Sequence, residues 1–131
     1  CRVDKMLILP DEPEELKHVL VKMSDSDGMD LILTTGGTGL SPRDTTPEAT
    51  MQIADRIVPG IAEYMRAKSM EITPNAMLSR GVAVVRKNTL IINLPGSPKA
   101  AKENLEAILP ALRHGLEILT GQSNECGRDG A

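Results

Sequence analysis

Phenylalanine and tryptophan are absent from this chain, and Tyr64 is its one aromatic residue. The core must therefore be aliphatic, with seven methionines as adaptable filler. The same lack argues against aromatic platforms on which nucleic-acid bases could stack. Excess positive charge is missing too. A formal net charge of -3 offers no global attraction to nucleic acid or to anionic membranes. A phosphate-bearing ligand would need a local basic patch. No apolar run approaches the ~20 residues of a membrane span, and no signal peptide is evident. Cysteine is scarce: Cys1 and Cys126 stand at opposite ends, giving neither a disulfide framework nor a metal spacing. His18 and His114 lie far apart on helical stretches and read as surface or groove residues rather than metal ligands. These features fit a reducing, cytoplasmic compartment. Several catalytic signatures are also absent. There is no nucleophile elbow of the G-x-S-x-G type, no P-loop and no G-x-G-x-x-G.

At 131 residues the chain reads as one domain over 1–120 with a polar tail over 121–131. Its organising stretch runs from Leu31 to Thr50, LILTTGGTGLSPRDTTPEAT. Leu31, Ile32 and Leu33 form a buried strand between Gly28 and Gly36. Gly36, Gly37 and Gly39 then allow unusual backbone conformations and close approach of a ligand to the main chain. Successive N–H groups of such a loop can form an anion-binding concavity. Thr46 suits the N-cap of the next helix and Pro47 its first position, with Glu48 favourable in the first turn.

The rest of the chain supports an α/β reading. Val3 to Leu9 is an apolar run stopped by Pro10, the pattern of a strand. Pro13 and Glu14 open a helix with Leu16, Val19, Leu20 and Met23 on one face, ended by SDSDG. Those elements with Leu31–Thr34 predict a right-handed βαβ unit with parallel neighbouring strands. Helices are predicted from Pro47 to about Ile57 and from Ile61 to Met70, the second with Ile61, Met65 and Tyr64 inward. Ile72 to Gly81 is irregular or a short helical turn. Val82–Val85 and Leu90–Leu94 read as a hairpin, giving the sheet an antiparallel edge. Ala100 to about Leu119 is a long helix that Pro110 should kink or split. One mixed, mainly parallel sheet with helices on both faces is the expected three-layer architecture.

In such sheets ligands bind beyond the carboxyl ends of the strands. Three candidate segments gather there: Asp11, the loop Gly36 to Asp44, and Asn93 to Pro98. Asp11 either caps the following helix or stands as a carboxylate at the mouth of the site. Asp44 either supports the turn before Thr46 or does the same. Two carboxylates flanking N–H donors would suit Mg²⁺ shared with substrate phosphates. Arg43 and Arg80 are candidate phosphate partners, since a guanidinium binds phosphate bidentately, or else ordinary surface residues. Ser97 could cap the final helix, whose N-terminus would attract an anion, with Lys99 adding charge. Such a site positions phosphates electrostatically, as in phosphoryl-type transfers where the substrate supplies the nucleophile.

TTGGTGLSPRDTTPEAT, LSRG and LIINLPGSPKA together closely resemble the molybdopterin-binding family of molybdenum-cofactor synthesis. The resemblance runs from about Ile8 to Leu119. It points to the MogA-type adenylyltransferases and the gephyrin G domain, with MoaB-type paralogues sharing the same loop. It implies transfer of an adenylyl group from ATP to molybdopterin with Mg²⁺. Asp11 and Asp44 match the family's catalytic aspartates and, as the carboxylates of the site, the Mg²⁺ ligands. Thr35, Gly36, Gly37, Thr38, Gly39, Ser41 and Arg43 match its substrate cradle. Ser79, Arg80, Asn93, Pro95, Gly96 and Ser97 match the remaining cleft walls. The resemblance further implies a homotrimer and hand-over of product to a molybdenum insertase. Family members begin with a strand and helix that this chain does not contain, so its sheet is expected to lack the family's first strand. Ser97 stands where many relatives have Asn. The alternatives are a MoaB-like or gephyrin-like binding or scaffold domain with little turnover, and a CinA-type nucleotide pyrophosphatase, which the loop chemistry disfavours.

Overall fold

The computed structural model describes residues 2–121; the predicted tail beyond Gly121 lies outside the described residues. Its elements run in chain order. Helix α1 spans Pro13–Val21 and continues into a wider π-helical turn at Lys22–Ser26. Strand β1 is Leu31–Thr35, α2 is Thr46–Gln52, β2 is Arg56–Ile57 and α3 is Pro59–Met70. A short 3₁₀ turn at Pro74–Leu78 leads to β3, Ala83–Arg86, then β4, Thr89–Leu94, and finally α4, Pro98–Leu119.

The sheet has four strands in the order β1-β4-β3-β2. Strand β1 is parallel to β4, Leu31 opposite Leu90 and Thr35 opposite Leu94. Strands β3 and β4 form the expected hairpin, closed at Lys87, whose φ is 52°. The backbone N–H of Lys87 donates to Asp55 Oδ2 at 2.7 Å, which fixes that turn. All six residues of β4 are buried, as befits the strand between two neighbours. Its side chains alternate between two cores. Leu90, Ile92 and Leu94 join Ala83, Val85, Met65, Ile108 and Leu112 under α3 and α4. Ile91 joins Val84, Ile32, Ile53 and Leu20 under α1 on the other face. Helices thus cover both faces, and the three-layer expectation holds.

Four local expectations change. Residues 3–9 form no strand; Val3, Met6, Leu7 and Ile8 are 78, 86, 54 and 102 % exposed. An apolar run becomes a strand only where a neighbour supplies ladder partners. Here β4 takes one side of β1, and no described strand takes the other. The parallel neighbour of β1 is therefore β4, not the leading segment. Helix α2 begins one residue earlier than Pro47, with Thr45 rather than Thr46 at the N-cap and no side-chain cap bond. It also ends at Gln52, because Arg56 and Ile57 pair with Val85 and Val84 of β3. Tyr64 is 49 % exposed, whereas Met65 is buried and Ile61 packs against the core. Helix α4 is continuous through Pro110, so the helix is not split there. Pro110 lies on the exposed side, so the carbonyl it leaves without a helical N–H can face water.

Candidate functional site

The loops after β1 and β4 meet because their strands are parallel neighbours. Gly36 N–H donates to Leu94 O at 3.0 Å. A β-carbon on Gly96 would stand 3.2 Å from Gly36 Cα, so the two backbones touch where a side chain would separate them. Gly36 and Gly37 have φ of 88° and 71°, a region closed to most L-residues. The next turn is tied by Asp44. Its N–H donates to Ser41 O at 2.9 Å, and its Oδ2 accepts from Ser41 N–H at 3.1 Å. Ser41 Oγ accepts from Arg43 N–H at 3.3 Å. The Arg43 side chain is exposed and has no partner among the described residues.

Arg80 reaches this loop from the segment before β3. Its Nε donates to Gly39 O at 2.8 Å, Nη1 to Glu48 Oε2 at 2.5 Å and Nη2 to Asp44 O at 2.5 Å. Its own N–H donates to Thr38 O at 2.8 Å. The hydrogen bond from Arg80 holds the Glu48 carboxyl below its usual range, and Glu48 in turn raises the Arg80 guanidinium. Arg80 is thus a clamp that sets the loop's shape, with all three of its nitrogens engaged. Asn93 is likewise spent within the fold. It is 2 % exposed. Its Nδ2 donates to Thr34 Oγ1 and Thr50 Oγ1 at 3.0 and 3.1 Å, and its Oδ1 accepts from Val82 N–H at 3.1 Å. It pins β4 to β1, α2 and the entry to β3.

Ser97 caps α4 as expected, its Oγ accepting from Ala100 N–H at 3.4 Å. Thr35, Gly96 and Ser97 are exposed at the carboxyl end of the sheet. Asp11 is exposed just ahead of α1 and caps nothing; Glu12 holds the N-cap position without a side-chain bond. Among the described residues no group of three or more His, Cys, Asp or Glu could hold a metal ion.

Four of the expected residues open onto one cavity of about 290 Å³: Thr38, Gly39, Ser79 and Pro95. A larger groove, about 360 Å³, lies between the end of α3 and α4, but it touches no residue of the glycine loop. The smaller cavity is the one that joins the site's segments.

The sequence profile of the family described as "Probable molybdopterin binding domain" matches residues 1–114. The chain belongs to this family. It is 50 % identical over 101 residues to the molybdopterin adenylyltransferase of Haemophilus influenzae, an alignment covering 77 % of this chain and 51 % of that protein. The chain therefore spans about half the length of that relative. It is 42 % identical over 124 residues to gephyrin of Dictyostelium discoideum, covering 93 % of this chain and 17 % of gephyrin. The crystal structure of the molybdopterin biosynthesis enzyme MoaB from Thermus thermophilus superposes with a TM-score of 0.81. That match is at 62 % identity and covers 86 % of this chain and 70 % of the other.

As a member of this family, the chain carries further cavity residues that its sequence motifs did not reveal. Arg66 and Ser69 come from α3, Asn75 from the 3₁₀ turn and Asn104 from α4. Asn104 is 5 % exposed, and its Nδ2 donates to Ser69 Oγ at 2.6 Å and Ala100 O at 2.9 Å. A signal for it existed: an amide at a core-facing position between Ala101 and Ile108 breaks the apolar stripe of α4. Arg66 had no such signal, since a cation beside Met65 reads as an ordinary exposed residue.

Proposed function

We propose that the protein transfers an adenylyl group from ATP to molybdopterin. The terminal phosphate oxygen of molybdopterin attacks the α-phosphorus of ATP. The bond from that phosphorus to the oxygen bridging to the β-phosphate breaks, and pyrophosphate leaves. The substrate is the nucleophile, so no side chain needs to form a covalent intermediate. The observation that carries this reading is the contact of Gly36 with Gly96, which brings the two strand-end loops together beside one cavity. The names of the curated adenylyltransferase relatives support it.

Within this reading the loop Gly36–Gly39 cradles phosphate through its N–H groups. Arg43, exposed and unpaired among the described residues, supplies cationic charge at the loop. Asp44 has one oxygen committed to Ser41 N–H. Its other oxygen accepts no hydrogen bond from the described residues, which suits a ligand of Mg²⁺ alongside phosphate oxygens, with Asp11 as the second carboxylate. The metal would neutralise charge on the triphosphate. We further propose a homotrimer in the cytoplasm, with no nucleic-acid or membrane partner, passing its product to a molybdenum insertase. Incubation with molybdopterin, ATP and Mg²⁺ should yield adenylyl-molybdopterin and pyrophosphate in equal amounts.

The 62 % identity to a MoaB structure favours one second reading, a molybdopterin-binding domain of low turnover. It predicts binding of molybdopterin without stoichiometric pyrophosphate release.

A further inference from the structure

Arg66 is the single charged residue on the wall of the 290 Å³ cavity, and it is half-buried. Its Nη1 donates to Gly81 O at 2.9 Å and to Ser79 O at 3.4 Å. Its Nε and Nη2 donate to nothing among the described residues, and no described carboxylate lies within ion-pair distance. The other two arginines of the core region are fully committed. Arg80 clamps the glycine loop, and Arg86 pairs with Asp25 through two bonds of 3.0 and 2.9 Å. Arg66 therefore lines a cavity whose wall includes no acid, with Nε and Nη2 of its guanidinium uncommitted among the described residues.

The cavity's other features narrow what that guanidinium would bind. Leu78, Pro95, Ala76 and Ala100 give it apolar walls. A phosphate group would lose its hydration against such walls at high cost, whereas a flat ring would bury its faces favourably. Nε and Nη2 of one guanidinium lie in a plane and donate in parallel. That geometry matches a ring carbonyl with an adjacent ring nitrogen, as in arginine recognition of the O6/N7 edge of guanine.

We infer that Arg66 is a specificity-determining residue, reading the ring carbonyl of a planar oxo-heterocycle held in this cavity. The inference rests on the proposed molybdopterin reading and names the atom that distinguishes its ring from others of the same size. A lysine could supply charge at this position but not the paired donors. A neutral apolar side chain could supply neither.

The test is an equilibrium titration of the full chain with two probes, pterin and 2-aminopteridine, which differ by the ring oxygen. The parent should bind pterin about 10-fold or more tightly over 2-aminopteridine, the scale of leaving a buried donor unpaired. In Arg66→Met that preference should vanish, through weaker pterin binding with 2-aminopteridine binding nearly unchanged. Arg66→Lys should keep part of the preference, and it provides the same reading should the methionine variant fold poorly. Retention of the parent's full preference in folded variants would overturn the role of Arg66. So would equal weakening of both probes, which would mean that Arg66 acts only by holding the Ser79–Gly81 wall. A parent that binds neither probe would overturn the molybdopterin reading of the cavity itself, and the role of Arg66 with it.

Discussion

Gly37 combines a φ of 71° with Thr46 Oγ1 standing where a β-carbon would go. Its carbonyl also accepts from Thr46 N–H at 3.2 Å, so the loop and the start of α2 are one unit. The motif suggested a glycine kept for close approach of a ligand or for an unusual backbone conformation, and its φ is indeed positive. The geometry adds the Thr46 side chain as a further reason, internal to the fold. Gly37→Val should therefore cost stability as well as affinity, roughly 1–3 kcal/mol for the strained backbone alone, measurable by urea unfolding. An unchanged unfolding midpoint would show that the loop relaxes freely. Asp44 and Arg80 illustrate what a motif can and cannot convey. Pro-Arg-Asp lies within the glycine loop by its position in the chain, and LSRG suggested only a cleft wall for Arg80, which in the structure donates to Gly39 O. They did not convey that Arg80 would be consumed by Gly39, Asp44 and Glu48. Such commitments depend on where the chain brings together residues some forty positions apart, which no local pattern encodes.

Among the elements, the hairpin β3–β4 was legible because two apolar runs flank a polar turn, and both pair with each other. The leading segment Val3–Leu9 has an equally apolar pattern, yet it forms no ladder, since pairing is a property of neighbours rather than of composition. Strand β2 was missed because two exposed residues, Arg56 and Ile57, leave no hydrophobic signature; their pairing with β3 is a tertiary effect. Helix α4 was read well from its stripe. Ile108 is 4 % exposed in the core beneath it, so Ile108→Ala should destabilise by roughly 2–5 kcal/mol in thermal or denaturant unfolding. A second element-scale prediction concerns the turn after α1. The hydrogen bond from Arg86 holds the Asp25 carboxyl below its ordinary range. A carboxylate whose folded pKa is depressed contributes stability above its unfolded pKa and loses it as pH falls through the folded value. Stability should thus decline below about pH 4. In Arg86→Gln that acid loss should be shallower and the protein weaker at pH 7, as followed by melting temperature against pH. An identical acid slope in the variant would remove Asp25 from the account.

At the scale of the molecule, the three-layer plan was visible in the alternation of strands and helices, and the sheet order follows from which strands share buried faces. The cavity was not visible. Its walls come from the glycine loop, α3, the 3₁₀ turn, the Pro95 loop and α4, and only the assembled fold sets them around one space. Arg66, the charge inside it, carried no motif at all. The central claim is that the glycine loop beside this cavity positions the phosphates for adenylyl transfer, with Asp44 as a charged participant. Single-turnover adenylation of molybdopterin by ATP and Mg²⁺, in the parent and in Asp44→Asn, tests it most directly. Asn keeps an oxygen acceptor for Ser41 N–H but removes the charge. The account predicts adenylyl-molybdopterin from the parent, and a loss of ~10² or more in rate from the variant with molybdopterin binding retained. Equal rates in the two folded proteins, or bound molybdopterin that the parent never adenylates, would contradict it.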